Sequence, residues 1–169
     1  MHQFDQSQRV ERRWRPVLCD WLRVSGYRVT DATPEDEWRG VDVWTVDDTG
    51  ERVGIDFKCD ERWRTTGNVF VELESNHQTG RLGCVLTSDA RWLLYFLTPD
   101  RVLVCLTTRL RDAIPAWKTQ YPQRPARNQG YDTMGLLVPV AAVERCAESV
   151  SWLSRGDRLC LQPWDREIA

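Results

Sequence analysis

Histidine is almost missing from this chain: His2 and His77 are the whole supply. That shortage removes several chemistries at once. Ser-His-Asp hydrolysis, histidine-dependent nuclease motifs and histidine-rich metal centres all lack their material. Cysteine is present at Cys19, Cys59, Cys84, Cys105, Cys146 and Cys160, but no C-x-x-C pair occurs. Several of these fall at apolar positions of candidate strands, so buried reduced thiols are expected rather than zinc ligands or a disulfide framework. No apolar run approaches the roughly 18 residues that cross a bilayer, and no basic-then-apolar leader opens the chain. Neither a G-x-x-x-x-G-K phosphate loop nor a dinucleotide fingerprint is found. A soluble, cytoplasmic protein is expected. At 169 residues the length fits one domain, 1–169, with a substantial core.

Bulk positive charge is lacking too, because the formal net charge is -2. Any nucleic-acid role therefore rests on local patches. Nearly all the positive charge is arginine, clustered at Arg9, Arg12, Arg13 and Arg15, at Arg62 and Arg64, at Arg109 and Arg111, and at Arg124 and Arg127. Guanidinium groups suit bidentate phosphate contact, although a compositional bias toward arginine would give the same clusters without a ligand.

What the chain does have is concentrated in Val41 to Asp60, VDVWTVDDTGERVGIDFKCD. Val41, Val43 and Thr45 alternate with Asp42, Trp44 and Val46; Asp47-Asp48-Thr49-Gly50 supplies turn chemistry; Val53, Ile55, Phe57 and Cys59 alternate with polar partners and Gly54. A three-residue loop, Asp48-Thr49-Gly50, with left-handed Gly50 pairs Asp47 with Glu51. Val41 then faces Phe57, Val43 faces Ile55 and Thr45 faces Val53, which makes one face apolar. On the other face Asp42 lies beside Asp56, with Cβ atoms roughly 4.5–5.5 Å apart. A two- or four-residue loop would bury Asp42 among aliphatics, so the hydrophobic pattern selects the register that joins two carboxylates. Lys58 follows on the face of Asp56.

Adjacent carboxylates repel and resist ionisation unless a cation lies between them. Hard oxygen ligands of this kind suit Mg²⁺ or Mn²⁺, which keep several waters and take up substrate phosphate. An ammonium beside them can orient a water or offset charge on the transition state. Asp56 and Lys58 alone would also describe the solvated face of a half-buried sheet; the juxtaposed Asp42 separates the two readings.

Asp42, followed about one hairpin later by Asp56-Phe57-Lys58, resembles the D…(D/E)-x-K signature of the PD-(D/E)xK phosphodiesterase superfamily. That superfamily includes restriction endonucleases, archaeal Holliday-junction resolvases and phage and repair nucleases. Val41 stands where proline often precedes the first aspartate, a position that varies. The resemblance covers Glu11 to Leu106. It implies an α/β fold with a restriction-endonuclease-like mixed β-sheet flanked by helices. It implies a Mg²⁺- or Mn²⁺-dependent DNA nuclease of phage or prokaryotic type, endonuclease before exonuclease. Asp42 and Asp56 would bind metal, Lys58 would position the water, and a strand glutamate, Glu72 with Glu74 behind it, would complete the set. Resolvase-type cleavage would need a homodimer. The superfamily's acidic residue on the first helix would fall on Glu11, against which stand Pro16 and the competing role of a solvated glutamate among arginines. The alternative is a non-catalytic nucleic-acid-binding or protein-interaction module that keeps the fold.

The rest of the chain supports that stretch. Residues 5 to 25 read as a helix with Val10, Trp14, Val17, Leu18 and Trp21 on one stripe, interrupted at Pro16 and stopped at Gly26. Tyr27 to Thr30 is a short strand, and Asp31 to Gly40 an acidic surface loop, with Trp38 at the edge of the site and one of Glu35, Asp36 and Glu37 able to approach the metal. Asp60 to Asn68 reads as a connecting loop in which Arg62, Trp63 and Arg64 can grip backbone and stack on a base. Trp38, Trp44 and Trp63 are the three candidates for stacking on a base, with Trp44, on the face of the acidic pair, first among them. Val69 to Glu74 is a third strand, and Arg91 to Thr107 an apolar hairpin turning at Thr98-Pro99-Asp100. Thr108 caps a helix bent at Pro115, Pro122 to Thr133 is a basic loop, and Met134 to Val138 a strand. Pro139 leads into a helix with Val140, Val143, Cys146 and Ala147 inward, and Leu159 and Leu161 add an edge strand in the tail.

Overall fold

The N-terminal helix forms where its apolar stripe places it and runs unbroken through its proline. The computed structural model describes residues 3–46 and 49–162, with side chains from residue 9 onward. Helix α1 (Gln3–Val24) contains Pro16, whose missing N–H leaves the Arg12 carbonyl without its helical donor. Both residues are exposed, so water can satisfy that carbonyl. Leu18, Trp21 and Leu22 are buried, and the helix ends as Gly26 turns left-handed at φ 104°.

The elements that follow are β1 (Arg28–Asp31), α2 (Pro34–Trp38), β2 (Val43–Val46), β3 (Arg52–Asp60), α3 (Trp63–Thr66), β4 (Asn68–Asn76), β5 (Arg81–Leu82) and α4 (Cys84–Thr87). Then come β6 (Trp92–Leu97), β7 (Arg101–Leu106), α5 (Thr107–Gln120), β8 (Gln123–Arg127), β9 (Asp132–Pro139), α6 (Val140–Cys146) and β10 (Ala147–Trp152). The architecture is mixed α/β. A six-stranded sheet runs β1-β2-β3-β6-β7-β10, antiparallel throughout except for the parallel β3/β6 pair. A second, antiparallel sheet runs β5-β4-β9-β8.

Alternation along β3 and β6 gives the large sheet two covered faces. Ile55, Phe57, Trp92, Leu94 and Phe96 meet Leu18, Trp21 and Leu22 of α1. Leu93, Tyr95 and Leu97 meet Val69, Val71 and Leu73 of β4, with Leu110, Ile114 and Trp117 of α5. Burial on both sides is why β6 and β7 are continuously apolar in sequence. Each large side chain fully buried this way contributes about 1.5–3 kcal/mol relative to exposure.

Several expected loops are ordered elements. The acidic segment before the hairpin holds α2, started by a capping box between Thr33 and Asp36. The loop after it holds α3, whose first turn gives the Arg62 and Trp63 N–H groups to Asp60 Oδ1 at 2.6 and 2.9 Å. The basic proline-bearing stretch contains β8, where Pro125 is tolerated because β8 is an edge strand. Thr108 is not a cap: α5 begins one residue earlier, after Leu106, with no side-chain cap. Leu159 and Leu161 are buried but form no strand; their N–H groups go to Ser25 Oγ at 2.8 Å and Tyr27 Oη at 2.9 Å. The edge position is filled instead by β10, which sequence periodicity merged with the preceding helix. Asp47 and Asp48 of the expected turn, and residues 163–169 of the tail, lie outside the described residues; Gly50 is left-handed at φ 85°, as expected. No helix among the described residues is long and apolar enough to cross a membrane.

One glycine ties α2 to the far side of the site. Gly40 has φ 76°, and a Cβ there would stand 2.8 Å from Ser88 Cβ and 2.9 Å from Ser88 Cα. Ser88 Oγ donates to the Gly40 carbonyl at 2.7 Å. Gly40→Ala is therefore expected to destabilise the fold by about 1–3 kcal/mol, read as a lower urea midpoint with unchanged slope.

Candidate active site

The site is built where β2 begins and β3 continues past it. Val43 pairs with Ile55 and Thr45 with Val53, the register expected from the hydrophobic pattern. Before Val43 the ladder deforms. The Asp42 N–H also donates to Ile55 O, at 2.8 Å, and Asp42 Oδ2 accepts the Phe57 N–H at 2.6 Å. A side-chain carboxylate thus takes the place of a backbone acceptor at the end of the ladder. The expected Val41–Phe57 pairing does not form. A Cβ on Gly54 would meet the Val41 methyls at 3.1 Å and the Trp44 ring at 3.4 Å, which puts Val41 on the side of Trp44. The extra residue that displaces Val41 also swings Asp42 toward Asp56.

Asp56 is buried, its side chain 2 % exposed, and Lys58 Nζ donates to its Oδ1. Lys58 Nζ also donates to Phe57 O at 3.2 Å. Asp56 Oδ2 is buried with no N–H donor among the described residues, and the Asp56 carboxyl meets that of Asp42 within hydrogen-bond range. Burial pushes the Asp56 carboxyl up from the ordinary aspartate value to about 7, with Asp42 adding to the rise and Lys58 opposing it. Desolvation pulls the Lys58 ammonium down, but the charges of Asp56, Cys84, Asp42 and Glu11 outweigh it and hold its pKa well above the usual lysine value. Glu11 is pushed up by burial and by Asp42, with Lys58 and Arg15 opposing.

Glu11 therefore belongs to this cluster. It lines one concavity with Arg12, Arg15, Glu37 and Asp42. Pro16 does not exclude it, because the helix continues through that residue. Arg15 fixes the wall: its guanidinium donates to the Asp42 backbone carbonyl and to Glu37 Oε1, the latter at 3.2 Å. Arg15 was grouped with surface phosphate contacts in sequence, yet it clamps α1 to the start of β2. Of the three acidic residues ahead of the hairpin, Glu35, Asp36 and Glu37, it is Glu37 that lines the concavity; Cys84 carries no signal in sequence, and only its place near Lys58 reveals it.

Glu72 Oε1 accepts the Cys84 N–H at 3.1 Å, and Cys84 lies close enough to Lys58 and Asp56 to interact electrostatically with both. Glu74 pairs with His77 at 2.5 Å. β4, which carries both glutamates, joins the second sheet rather than the β2/β3 hairpin. Trp44 is on the expected side but engaged: Nε1 donates to Asp36 Oδ2 at 3.1 Å and Arg52 lies 4.0 Å over the ring. Trp63 gives its indole N–H to Thr98 O at 3.0 Å, and Arg64 and Arg101 lie over its ring at 5.5 and 4.7 Å. It packs against the core, so it is not a free stacking surface. Arg62 and Arg64 are exposed on α3 and its cap. Of the other patches, Arg109 pairs with Glu148 at 2.7 Å and Arg111 donates to the Val85 and Ser88 carbonyls.

The pH dependence of stability follows from Asp56. The folded chain holds its proton up to about pH 7, whereas the unfolded carboxyl ionises near its ordinary value. The stabilising contribution is thus complete in acid and lost as pH rises through about 7. In chelator, Asp56→Asn is expected to flatten the fall in Tm across this window, each kcal/mol showing as about 2–4 °C. Scanning calorimetry of both proteins checks it; parallel curves would contradict it.

Asp42, Asp56 and Glu11 set three carboxyl groups against the Lys58 ammonium and the Arg15 guanidinium. Among the described residues no group of three His, Cys, Asp or Glu side chains is gathered closely enough to hold a metal by itself. Two carboxylates with waters and substrate phosphate are what Mg²⁺ commonly uses, and the buried Asp56 Oδ2, with no N–H donor among the described residues, fits a hard cation. No family model, curated protein or solved structure matches the chain.

Proposed function

We propose that this chain is a Mg²⁺- or Mn²⁺-dependent DNA nuclease of the PD-(D/E)xK type, restriction-endonuclease-like in fold and endonucleolytic in action. The observation that carries the reading is the buried Asp56 carboxyl, paired with the Lys58 ammonium through Oδ1 and set against the Asp42 carboxyl, with no N–H donor on Oδ2 among the described residues. Two carboxylates repel and one ammonium offsets only one of them, and a divalent ion shared with Asp42 removes the remaining cost. When bound there, the ion would polarise the scissile phosphate and lower the pKa of water.

The chain's own groups do the remaining work. Asp42 is held rigidly by the Phe57 N–H on one side and through its backbone by Arg15 on the other. Lys58 has three N–H donors, two of them taken by Asp56 Oδ1 and Phe57 O among the described residues. The third is available to a water or to a phosphate oxygen that gains charge as the bond breaks. Because its pKa is raised, Lys58 stays charged across the working range and acts by position and charge.

The test is incubation of plasmid, linear and branched DNA with Mg²⁺ or Mn²⁺. Cleavage that excess chelator stops is the expected result. Salt-sensitive DNA binding without cleavage in either metal would replace the enzyme with a binding module.

A further inference from the structure

Trp38 is 75 % exposed, although the Arg81 guanidinium lies 4.3 Å over its ring. Burying so little of an indole leaves the opposite ring face to solvent. Leu82, next to Arg81 on the edge strand β5, is itself 52 % exposed. The two halves of this stack come from different parts of the fold, α2 on the large sheet and β5 on the small one. Each is chained to the acidic site. Trp38 follows Glu37, which lines the concavity with Asp42 and Glu11. Arg81 precedes by three residues Cys84, which lies close enough to Lys58 and Asp56 to interact electrostatically with both.

The platform is also held still. Thr33 and Asp36 cap α2, Ser88 grips the Gly40 carbonyl beyond its end, and the Arg39 carbonyl accepts the Asp89 N–H at 2.8 Å. A rigid exposed indole backed by a guanidinium is a stacking surface for an aromatic ring, and the cation polarises it toward electron-rich rings. Beside a site that handles phosphodiesters, the ring that chemistry supplies is a nucleobase. In a duplex the base faces are already stacked, so the ligand must offer an unpaired one.

We infer that Trp38 and Arg81 form a stacking subsite for an unpaired nucleobase of the DNA strand engaged at Asp42 and Asp56, which makes single-stranded or flapped DNA the preferred class of substrate. This rests on the nuclease reading for its geometry, but its measurement does not require cleavage. Of the three tryptophans expected to stack, Trp38, Trp44 and Trp63, the ring of Trp38 alone is mostly exposed.

The probe is a labelled thymidylate strand and the same strand with abasic sites, bound in chelator and followed by fluorescence anisotropy. The full chain is expected to prefer the base-bearing strand. Trp38→Ala should weaken binding of that strand about ten-fold and leave the abasic strand unchanged, while Trp38→Phe keeps most of the preference. Arg81→Ala should lose part of it. An equal loss on both strands, no loss on either, or no preference in the unaltered chain overturns the subsite. Cleavage of the same DNA with Mg²⁺ is scored separately. Base-dependent binding through Trp38 without cleavage supports the subsite and counts against the nuclease; cleavage with base-independent binding overturns the subsite alone.

Discussion

Replacing Lys58 by methionine is expected to lower Mg²⁺-dependent cleavage by about 10²–10³-fold while leaving divalent-ion binding in place. The ammonium is not a metal ligand; it supplies a positive charge and one donor beside the scissile phosphate. Asp56→Asn should behave differently, losing ion binding and cleavage together, because it removes one of the two carboxylates that share the ion. Lys58→Arg should not rescue. The chain has 23 Lys+Arg, yet only Lys58 and Lys118 are lysines. A compact ammonium can sit between Asp56 Oδ1 and the Phe57 carbonyl where a planar fork would project past both. Single-turnover rates with saturating metal separate the two variants. Equal activity of Lys58→Met and the unaltered chain would remove Lys58 from the chemistry.

The second large effect is on stability. Phe57 lies between Asp56 and Lys58 in sequence but points to the opposite side of the sheet, where it is fully buried against α1. Phe57→Ala is expected to cost about 3–5 kcal/mol, the lost transfer energy plus the cavity that its neighbours cannot close. At about 2–4 °C per kcal/mol the Tm should fall by roughly 10 °C. The same cavity lies under the helix that carries Glu11 and Arg15. Phe57→Leu, which refills most of the volume, should lose far less. A urea midpoint shared by Phe57→Ala and the unaltered chain would mean that α1 is not held by this face. Trp38→Ala, on the surface, should change stability by less than about 0.5 kcal/mol.

How much of this could be read from the residues differs from place to place. The β2/β3 register from Val43 to Val46 follows from alternation, since any slip would have buried a charge, but the approach of Asp42 to Asp56 comes from the bulge at the end of that ladder. The bulge at Asp42 left no such mark, because Val41 is apolar and packs on either side. Glu11 lies on the border of the helical stripe, where composition favours a solvated glutamate; only an unbroken α1 brings it to Asp42. Pro16 concealed that continuity because its cost depends on whether the freed Arg12 carbonyl reaches water. Glu72 lies on a strand that is legible in sequence, but which sheet that strand joins is decided by distant partners such as Gly135 and Leu136. The short helices α2 and α3 looked like loops because they are only 5 and 4 residues long.

Mn²⁺ titration of the unaltered chain and of Asp56→Asn, followed by the loss of the free-ion paramagnetic resonance signal at about pH 8, where the carboxyl is ionised, measures the shared site most directly. A site present in the first and absent in the second is the predicted result. Equal uptake by both, or none by either, would contradict the claim that Asp42 and Asp56 share a divalent ion.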